Sequence, residues 1–456
     1  MPFRRFFERG AKDAPAAPAP AATADEHSDE DAAVAEQEPE EAGEAEAVSA
    51  EQDEAGWRDR AAAVLPTGAS TGSKRVGALY GADDAVGPTH YVRAIGCRVT
   101  DADGYEYLDC TMALGAVALG YAEPNVTRAV VDAIAGGNVS ALSSVNEVDV
   151  AERLCGVIPC ADKAQFLKTG AEAVAAAVRI ARTYTARDVV VGCGYFGWLD
   201  WSGDETAGVP QGTRGDFRRV PFDDVAALEA AVAAAGGGSQ LAAIVIEPVI
   251  ERMPSPAWIN RARELATQTG AVLVFDEIKT GFRLKTGGYQ AFADVVPDLA
   301  AFGKAMANGF PLAAVVGHRD LMDAARKTWI SSTLASESSA LAAAGAVLAW
   351  HDSVDVCASL WSIGADMKHA VFAAIEASGV QGITIDGPDP MWMLRFDRPE
   401  RERRFLELGA ANGVLLKRGA YNYAALAHDD DALRDLERCA SDTLVALRDE
   451  EAEAAG

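Results

Sequence analysis

Short apolar runs alternate with amphipathic stretches between residues 125 and 330. The runs are bounded by polar residues or glycine, and they read AQFLKTG, DVVVGCG, LAAIVIEPV, AVLVFDEI and DLAAF. The stretches between them repeat apolar residues at helical spacing, as in AEAVAAAVRIARTYT and in NVTRAVVDAIAGG, which ends in glycine. Strands that are apolar throughout are typical of a parallel sheet covered by helices on both faces. We therefore predict a large α/β domain over residues 125–345.

The segments on either side follow other patterns. HYVRAIGCRVTDADGYEYLDC, at residues 90–110, alternates apolar and polar residues, and its DADG favours a turn between two short strands. Near the other end, MWMLRFD at 391–397 and GVLLKRGA at 413–420 lie between helical stretches. We predict that the N-terminal segment, residues 57–124, folds back beside residues 346–456 to form a small α+β domain.

Residues 1–56 lack the pattern of a folded segment. From residue 11 onward they are almost entirely Ala, Glu, Asp, Pro and Gln, with hardly a large apolar side chain. Such a composition cannot bury enough surface to offset the conformational entropy of the chain. We expect a disordered acidic tail whose plain role is solubility or tethering.

Charge and composition exclude several classes of function. The formal net charge of −27 would repel a phosphate backbone, so we expect no nucleic-acid partner. No apolar run approaches the length of about 18 residues that a membrane span needs, and the opening MPFRRFFERG is too short for a signal peptide. Seven cysteines without a CxxC pair and six histidines without metal-ligand spacing favour reduced thiols and no metal site. We expect a cytoplasmic protein that does not enter the membrane.

Polar and aromatic residues follow four of the predicted strands. A small-residue turn, TGAE at 169–172, opens a helix after one strand, and Tyr195 begins the aromatic stretch YFGW after another. Asp276 ends AVLVFD, and Lys304 follows DLAAF. Each feature alone has an ordinary explanation, such as a helix-opening turn, a core ring or a solvated lysine. In an open parallel sheet, however, ligands bind beyond the carboxyl ends of the strands, and these residues follow those ends.

Taken together, these features fit the cofactor pyridoxal 5′-phosphate (PLP). This cofactor needs a lysine for a Schiff base, an acid beside its pyridine nitrogen and an anion site for its phosphate. Lys304, Asp276 and the small-residue turn at 169–172 supply these three groups. A carboxylate at the end of an apolar strand is desolvated unless it meets a positive partner, and a protonated ring nitrogen is such a partner.

Two longer blocks resemble a known family. VFDEIKTGFR and PDLAAFGKAMANGFPLAAVVG are similar to the blocks that frame the aspartate and the lysine of class III (subgroup II) aminotransferases of PLP fold type I. KTGAEAV, GYFGW, IEPV and STLASESSALAAA resemble further motifs of that family. LPTGASTGSKR and ALGAVALGYAEPNV are most similar to glutamate-1-semialdehyde 2,1-aminomutase-like proteins. The resemblance implies an α/β fold in which a large domain with a mostly parallel sheet binds PLP beside a small α+β domain.

The resemblance also implies roles for individual residues. Lys304 would form the Schiff base and then carry a proton, while Asp276 would keep the pyridine nitrogen protonated. Ile278 and Tyr195 would lie on the two faces of the ring. The phosphate would be held by Thr169, Gly170, Ala171 and, reaching across a homodimer to the neighbouring subunit's cofactor, Thr333. The substrate would be bound by Arg75 and Glu247.

Several positions depart from the family pattern. Phe196 and Leu199 stand where relatives carry histidines, so two polar groups near the ring become apolar. Ala171 replaces a hydroxyl residue of the phosphate turn, and SES at 336–338 replaces the GNP that follows the threonine. The loop at 201–216 is short and rich in Gly and Asp, whereas a longer loop gates the site in the aminomutase.

Three functions are compatible with these motifs. The first is a PLP-dependent aminotransferase that moves an amino group between a small-molecule amine and a keto or aldehyde acceptor by a ping-pong Schiff-base mechanism. The second is an intramolecular aminomutase, which the short loop disfavours. The third is a PLP-fold subunit without catalysis, against which the presence of Lys304, Asp276 and Thr333 argues. No motif identifies the substrate.

Overall fold

The computed structural model of the protein describes residues 54–455, where strands and helices alternate. The strands are β1 (Tyr91–Ile95), β2 (Arg98–Asp101), β3 (Glu106–Asp109), β4 (Lys163–Leu167), β5 (Val189–Cys193), β6 (Phe217–Arg219), β7 (Leu241–Ile246), β8 (Val272–Asp276), β9 (Leu299–Phe302), β10 (Ala313–Gly317), β11 (Ile383–Asp386), β12 (Met391–Phe396), β13 (Val414–Leu415) and β14 (Asn422–Tyr423). The α-helices are α1 (Glu54–Val64), α2 (Val76–Tyr80), α3 (Met112–Gly115), α4 (Pro124–Ala135), α5 (Val145–Val157), α6 (Gly170–Thr185), α7 (Gln211–Arg214), α8 (Val225–Ala234), α9 (Pro256–Thr269), α10 (Tyr289–Ala293), α11 (Arg319–Asp323), α12 (Ser338–Ser353), α13 (Val356–Ser378), α14 (Pro399–Ala411) and α15 (Asp430–Ala455). Short 3-10 helices lie at Gly72–Lys74, Gly236–Gly238, Lys304–Ala307 and Ala324–Lys327.

The central sheet has seven strands in the order β4-β10-β9-β8-β7-β5-β6. Neighbouring strands pair in parallel except at β10, which is antiparallel to both β4 and β9. The mostly parallel sheet and the predicted α/β fold class are therefore confirmed. Strand β10, formed by part of PLAAVVG, is not among the predicted strands, and it inserts one antiparallel member into the parallel set.

Both faces of this sheet are buried, as apolar strands require. Along β5, Val190 belongs to a cluster that contains residues of α6, whereas Val191 belongs to a second cluster that contains residues of α8 and α9. The same alternation occurs in β7, where Ala243 joins the first cluster and Ile244 the second. Packing on both faces fixes the strands, so the side chains that follow their carboxyl ends have defined positions.

The N-terminal and C-terminal segments share a second sheet. Its order is β1-β2-β3-β13, and β13 pairs in parallel with β3, with Val414 opposite Leu108. The predicted DADG turn lies between β2 and β3, and a further strand, β1, precedes it. A third sheet has the order β11-β12-β14. The N-terminal hairpin thus lies beside a C-terminal strand, while the limits of the predicted domains stay a prediction.

The first described helix begins slightly earlier than the sequence predicts. Residues 1–53 of the predicted acidic tail lie outside the described residues, but residues 54–56 already belong to α1. Glu54 is anchored there, since its backbone N–H donates to Asp103 at 2.7 Å and its carboxylate accepts the Thr89 N–H at 2.8 Å. No helix found between residues 54 and 455 has the length and apolar character to cross a membrane.

Candidate active site

Asp276 and Lys304 lie at the carboxyl ends of two adjacent strands. Asp276 is the last residue of β8 and is paired with Ala301 of β9, and Lys304 comes two residues after β9. Lys304 opens a 3-10 turn with a φ of 46°, which is in the left-handed region. A residue other than glycine pays on the order of 1 kcal/mol for this conformation, and such strain is concentrated at functional sites.

The side chain of Lys304 is partly buried and unpaired. Among the described residues it has neither an ion pair nor a hydrogen bond. Burial, and next the positive charge of Lys279, lower the pKa of this amine to about 8 against the opposing charges of Asp276 and Glu247. A neutral amine is therefore accessible at mildly alkaline pH, as a lysine nucleophile requires.

The two acids at the end of β8 have different surroundings. Asp276 is buried, and its Oδ1 accepts the Ile278 N–H at 3.0 Å, while burial raises the pKa of its carboxyl. Glu277 is also buried, but it accepts the N–H groups of Tyr289 at 2.7 Å and Gln290 at 3.0 Å. Glu277 therefore holds the start of α10, whereas Asp276 retains the capacity to meet a positive partner.

Ile278 lies between two glycines that border the site. A Cβ at Gly170 would come 3.1 Å from Ile278 Cδ1, and a Cβ at Gly303 would also come 3.1 Å from that atom. Gly170 begins α6, and Gly303 precedes Lys304. The residue predicted to face the ring therefore contacts both the turn predicted to bind phosphate and the loop that carries the lysine.

The phosphate turn, residues 169–172, begins α6 with a capping box. Thr169 Oγ1 accepts the Glu172 N–H at 3.3 Å, and the Glu172 carboxylate accepts the Thr169 N–H at 2.9 Å and its hydroxyl at 3.0 Å. The N–H groups of Gly170 and Ala171 donate to no acceptor within residues 54–455. Free amides at the start of a long helix attract an anion. The Thr169 hydroxyl serves the cap here, so its contact with phosphate stays a prediction.

The aromatic stretch after β5 divides into exposed and buried rings. Tyr195 and Trp198 are exposed, whereas Phe196 is buried in the core. Gly197, with a φ of 86°, approaches α6 so closely that a Cβ there would lie 2.3 Å from the Cβ of Ala171. The loop of Tyr195 is thus held against the phosphate turn, and its ring is free to face a ligand. Phe196, which replaces a histidine of the family that the sequence resembles, thus occupies a core position.

Glu247, which the sequence assigns to the substrate, is engaged within the protein. Its Oε1 lies 2.5 Å from Nζ of Lys279, and its Oε2 accepts the Tyr195 N–H at 2.9 Å. Nζ of Lys279 also lies 4.4 Å from the ring centroid of Tyr421. Burial alone would lower the pKa of Lys279, but the Glu247 carboxylate, together with Tyr421 and Tyr423, outweighs it and raises that pKa above its ordinary value. The sequence reasoning misses Lys279, although a lysine just past a buried strand is a signal.

Arg283 fixes the segments around the site. It is fully buried, and it donates to the carbonyls of Ala424 at 2.7 Å and Pro390 at 3.2 Å. It also donates to the carbonyls of Gly115 at 3.2 Å and Val117 at 3.4 Å. Burial lowers the pKa of its guanidinium to about 10. This arginine, also missed by the sequence reasoning, joins the N-terminal and C-terminal segments to the end of β8.

Two predicted residues are exposed rather than enclosed with this cluster. Arg75 lies at the start of α2, and its side chain has no ion pair in the described part of the chain. Thr333 lies in the turn before α12. The neighbouring Glu337 caps α12 by accepting the Ser339 N–H at 2.8 Å, and it pairs with Lys168, beside the phosphate turn, at 2.7 Å. The contacts of Arg75 with substrate and of Thr333 with a second subunit's cofactor stay predictions.

The residues present fit PLP. Lys304 offers an unpaired amine, Asp276 a carboxylate that can meet a positive ring nitrogen, and Gly170 and Ala171 unpaired amides for a phosphate. Ile278 supplies an apolar surface between these groups. Residues 54–455 contain no cluster of His, Cys, Asp or Glu side chains that could hold a metal ion.

Comparisons with known proteins agree with this arrangement. The family model described as aminotransferase class-III matches residues 80–194 and 209–426. A 3-aminobutyryl-CoA aminotransferase of Cloacimonas acidaminovorans (strain Evry) is 32% identical over 76% of this chain and 86% of its own. A glutamate-1-semialdehyde 2,1-aminomutase of Anaeromyxobacter dehalogenans (strain 2CP-C) is 32% identical over 75% of this chain and 87% of its own. Among solved structures, the FumI protein of Sphingopyxis sp. MTA144, in its PLP internal aldimine form, has a TM-score of 0.82 and 25% identity, covering 88% of this chain and 97% of that one.

Proposed function

The chain belongs to the class III aminotransferase family, and we propose that Lys304 is the catalytic lysine of its PLP-dependent amino transfer. The observation that carries this proposal is the state of Lys304 itself. Its backbone is held in the left-handed region, its partly buried amine has no partner among residues 54–455, and Asp276 lies at the end of the adjacent strand. Such a lysine is kept for chemistry rather than for stability.

The side chains of the cluster have distinct tasks in this proposal. PLP, when bound, supplies a carbonyl carbon for the substrate amine and a ring that accepts electrons. Lys304 holds a neutral amine that accepts the proton removed from the substrate and returns it. Asp276 would carry a negative charge once it pairs with the ring nitrogen, and that charge favours a proton there. The amides of Gly170 and Ala171 bind the phosphate, and Ile278 excludes water.

The proposed reaction moves an amino group from an amine donor to a keto or aldehyde acceptor, in two half-reactions. An aminomutase is the alternative, and it has to retain its half-reacted substrate behind a closed loop. In this protein the loop at 201–216 is fastened to its own edge strand, because Arg219 of β6 pairs with Asp204 at 2.7 Å. A loop fastened in this way is poorly suited to such closure, so we favour transfer between two substrates.

We propose that two copies of the chain form the enzyme. Apolar side chains remain exposed along α4, the loop after it and α5, namely Val131, Ile134, Val139, Leu142, Val145 and Val148. Several large apolar side chains left exposed within one short stretch of sequence favour a protein interface. Thr333 and the exposed Trp329 precede α12, so a second copy covering this side would also meet the turn that carries Thr333.

Absorption spectroscopy tests the function. The wild-type protein should acquire a visible cofactor band when PLP is added, and Lys304→Ala should alter that band. An amine donor should then remove the band, and a keto acid should restore it while a new amine forms. An aminomutase would restore the band without added keto acid and would release an isomer of its substrate.

The outcome that overturns the proposal is equally specific. Failure of the wild-type chain to bind PLP would exclude both transaminase and aminomutase. A Lys304→Ala variant with the wild-type spectrum and activity would remove Lys304 from the reacting centre. Lys285→Ala is the matched control, because Lys285 is an exposed lysine of the segment that follows β8.

A further inference from the structure

A cavity of about 410 Å³ lies between the loop at 201–216 and the edge strand β6. The polar and charged residues that line it are Ser202, Asp204, Gln211, Arg214, Arg218 and Arg219. We propose that this cavity binds the oxyanion group of a small molecule, for which a phosphate is the best match. The proposal does not depend on the transamination proposed above, because none of these residues belongs to the PLP cluster.

The guanidinium of Arg219 is already paired within the protein, and its contacts shape the cavity. Its guanidinium pairs with Asp204 at 2.7 Å and donates to the Ser202 carbonyl at 3.0 Å. It also donates to the carbonyl of Gly194, at the end of β5. These contacts hold the loop in place beside β6, so the other lining residues have a fixed frame.

Arg214 and Arg218 have no acidic partner in the part of the chain that the structure describes. Arg218 donates to the backbone carbonyls of Gly215 and, at 3.2 Å, Phe217, which orient it without neutralising its charge. Nε of Arg214 is buried and has no hydrogen-bond partner. A planar guanidinium with free donors matches the oxygens of a phosphate or a carboxylate.

Ser202 supplies a second, independent sign of a ligand. The residue is only 3% exposed, and its hydroxyl has no hydrogen-bond partner among residues 54–455. A buried hydroxyl without a partner is uncommon in a native protein, and an oxyanion that enters beneath the loop at 201–216 would supply the acceptor that it lacks. Phosphate accepts from several donors at once, so it suits this set better than a halide or a neutral group.

The charge of the cavity contrasts with that of the chain. Three arginines and one aspartate give the lining a formal charge of +2, whereas the whole chain carries −27. An anion is repelled by most of such a surface and attracted at this cavity, which focuses its binding there. A cavity of about 410 Å³ has room for a phosphate that carries an organic body.

Hydrogen bonds to adjacent residues link the cavity to the candidate active site. Arg219 holds the carbonyl of Gly194, and the next residue, Tyr195, donates its N–H to Glu247 of the PLP cluster at 2.9 Å. The same oxyanion chemistry therefore has two possible sources. It is either the charged end of the substrate, whose amine reaches the cofactor, or a separate molecule that acts on the Tyr195 loop.

Calorimetric titration of the PLP-saturated enzyme with inorganic pyrophosphate tests the binding. Saturating PLP keeps the cofactor's own phosphate site filled. We expect one saturable site whose affinity falls with added NaCl, and Arg214→Gln and Arg218→Gln should each weaken it about tenfold, as loss of a charge-assisted hydrogen bond implies. Ser202→Ala should weaken it severalfold without a change of charge. Arg179→Gln, which removes an exposed charge from α6, is the matched control and should bind like the wild type.

Kinetics distinguish the two sources. If the anion is part of the substrate, Arg214→Gln raises the KM for donors with a terminal phosphate or phosphonate and spares neutral donors. If it is a separate molecule, pyrophosphate changes the turnover of a neutral donor in the wild type and not in Arg214→Gln. Absence of pyrophosphate binding in the wild type, or wild-type affinity in both arginine variants, overturns the proposal. An equal loss of affinity in Arg179→Gln overturns it too, because binding would then be nonspecific.

Discussion

Lys279 and Lys304 are both partly buried beside Asp276, yet the carboxylate of Glu247 pairs with Lys279 and leaves Lys304 alone. The two amines therefore differ in function. Lys279 keeps its charge, and that charge is the largest influence, after burial, that lowers the pKa of Lys304. The reactivity that we propose for Lys304 would depend in this way on a second lysine that need not touch the substrate.

Lys279→Met tests this dependence. The PLP-free wild-type protein should incorporate PLP faster as the pH rises, with a midpoint near the Lys304 pKa of about 8. Removal of the positive charge favours protonated Lys304, so the midpoint of the variant should move to higher pH and its incorporation near neutrality should slow down. Stopped-flow absorbance of the cofactor band over a pH series measures this midpoint.

The control for this experiment is Lys285→Met. It removes an exposed lysine from the segment that follows the same strand, so its midpoint should match that of the wild type. An unchanged midpoint in Lys279→Met would contradict the electrostatic role that we assign to Lys279. A change in both variants would point to net charge rather than to position.

Asp276→Asn and Glu277→Gln should separate two neighbouring acids. Asp276→Asn removes the charge that meets the ring nitrogen and should weaken PLP binding by about 2 kcal/mol, or roughly thirtyfold, with little loss of stability. Glu277→Gln disturbs buried hydrogen bonds to Tyr289 and Gln290 and should lower the free energy of unfolding by about 2 kcal/mol. Equilibrium dialysis measures the first effect, and urea unfolding of the PLP-free protein the second. Equal losses of affinity in both variants would refute the distinction.

Secondary structure elements meet at the site through close approaches of their backbones. The loop after β5 touches α6 where Gly197 faces Ala171, and α6 touches the segment after β8 where Gly170 faces Ile278. Arg283 then ties the end of β8 to segments from both ends of the chain. The positions of the functional groups are thus set by contacts between elements and not within any one of them.

Gly197→Ala should disrupt one of these contacts. The new Cβ would meet the Cβ of Ala171 at 2.3 Å, and the φ of 86° is unfavourable for alanine. We expect a loss of about 2 kcal/mol of unfolding free energy and weaker PLP binding, because the loop must move away from the phosphate turn. Thermal unfolding and PLP titration measure the two effects.

Two further variants locate the cause. Ala171→Gly combined with Gly197→Ala should recover part of the stability, since the 2.3 Å overlap disappears while a 3.0 Å approach to the Cα of residue 171 and the backbone strain remain. Gly212→Ala has no atom within 4 Å of its new Cβ and should leave both measurements unchanged. If the double variant recovers nothing, the contact with α6 is not what restrains the loop.

The elements themselves are largely predictable from sequence, because a strand buried on both faces needs an unbroken apolar run. β5, β7, β8 and β9 meet that requirement. β10 meets it as well, but PLAAVVG follows the lysine turn directly, without a helix between it and β9. The prediction rests on strands that alternate with helices, so it does not include a strand that runs antiparallel to β9. Sequence alone does not tell the direction of such a strand.

The positions of Asp276 and Lys304, which we propose to serve the cofactor, are predictable for a similar reason, whereas their supports are not. Asp276 and Lys304 follow buried strands directly, so the parallel topology alone brings them to one edge. The pair between Glu247 and Lys279 forms only when β7 and β8 lie side by side, and no local pattern encodes it. Arg283 depends on carbonyl groups from distant segments in the same way.

At the scale of the whole molecule, one side of the chain is incompletely covered. The exposed apolar residues of α4, α5 and the loop between them lie within one stretch of sequence, and a second copy of the chain is the partner that we propose. A symmetric dimer buries the same patch on both copies, so one substitution there acts twice.

Val145→Asp should therefore weaken the dimer strongly. Val145 is 77% exposed and is the first residue of α5, where an acidic side chain suits the helix dipole, so the monomer should still fold. Light scattering coupled to gel filtration should show the wild type as a dimer and this variant shifted toward monomer. Phe372→Asp, at a 53% exposed position of α13, is the control and should stay dimeric. A monomeric and fully active wild type would refute the dimer.

The ion pair between Lys168 and Glu337 would couple the proposed dimerisation to the binding of PLP. It joins the residue before the phosphate turn to the cap of α12, and the turn that carries Thr333 lies immediately before that cap. In the proposed dimer, contact of a second copy with the Thr333 turn would therefore bear on the turn at 169–172 through this ion pair. Linkage is reciprocal, so if dimerisation tightens PLP binding, PLP tightens the dimer by the same free energy. The dissociation constant of the dimer would then depend on the fraction of sites that hold PLP.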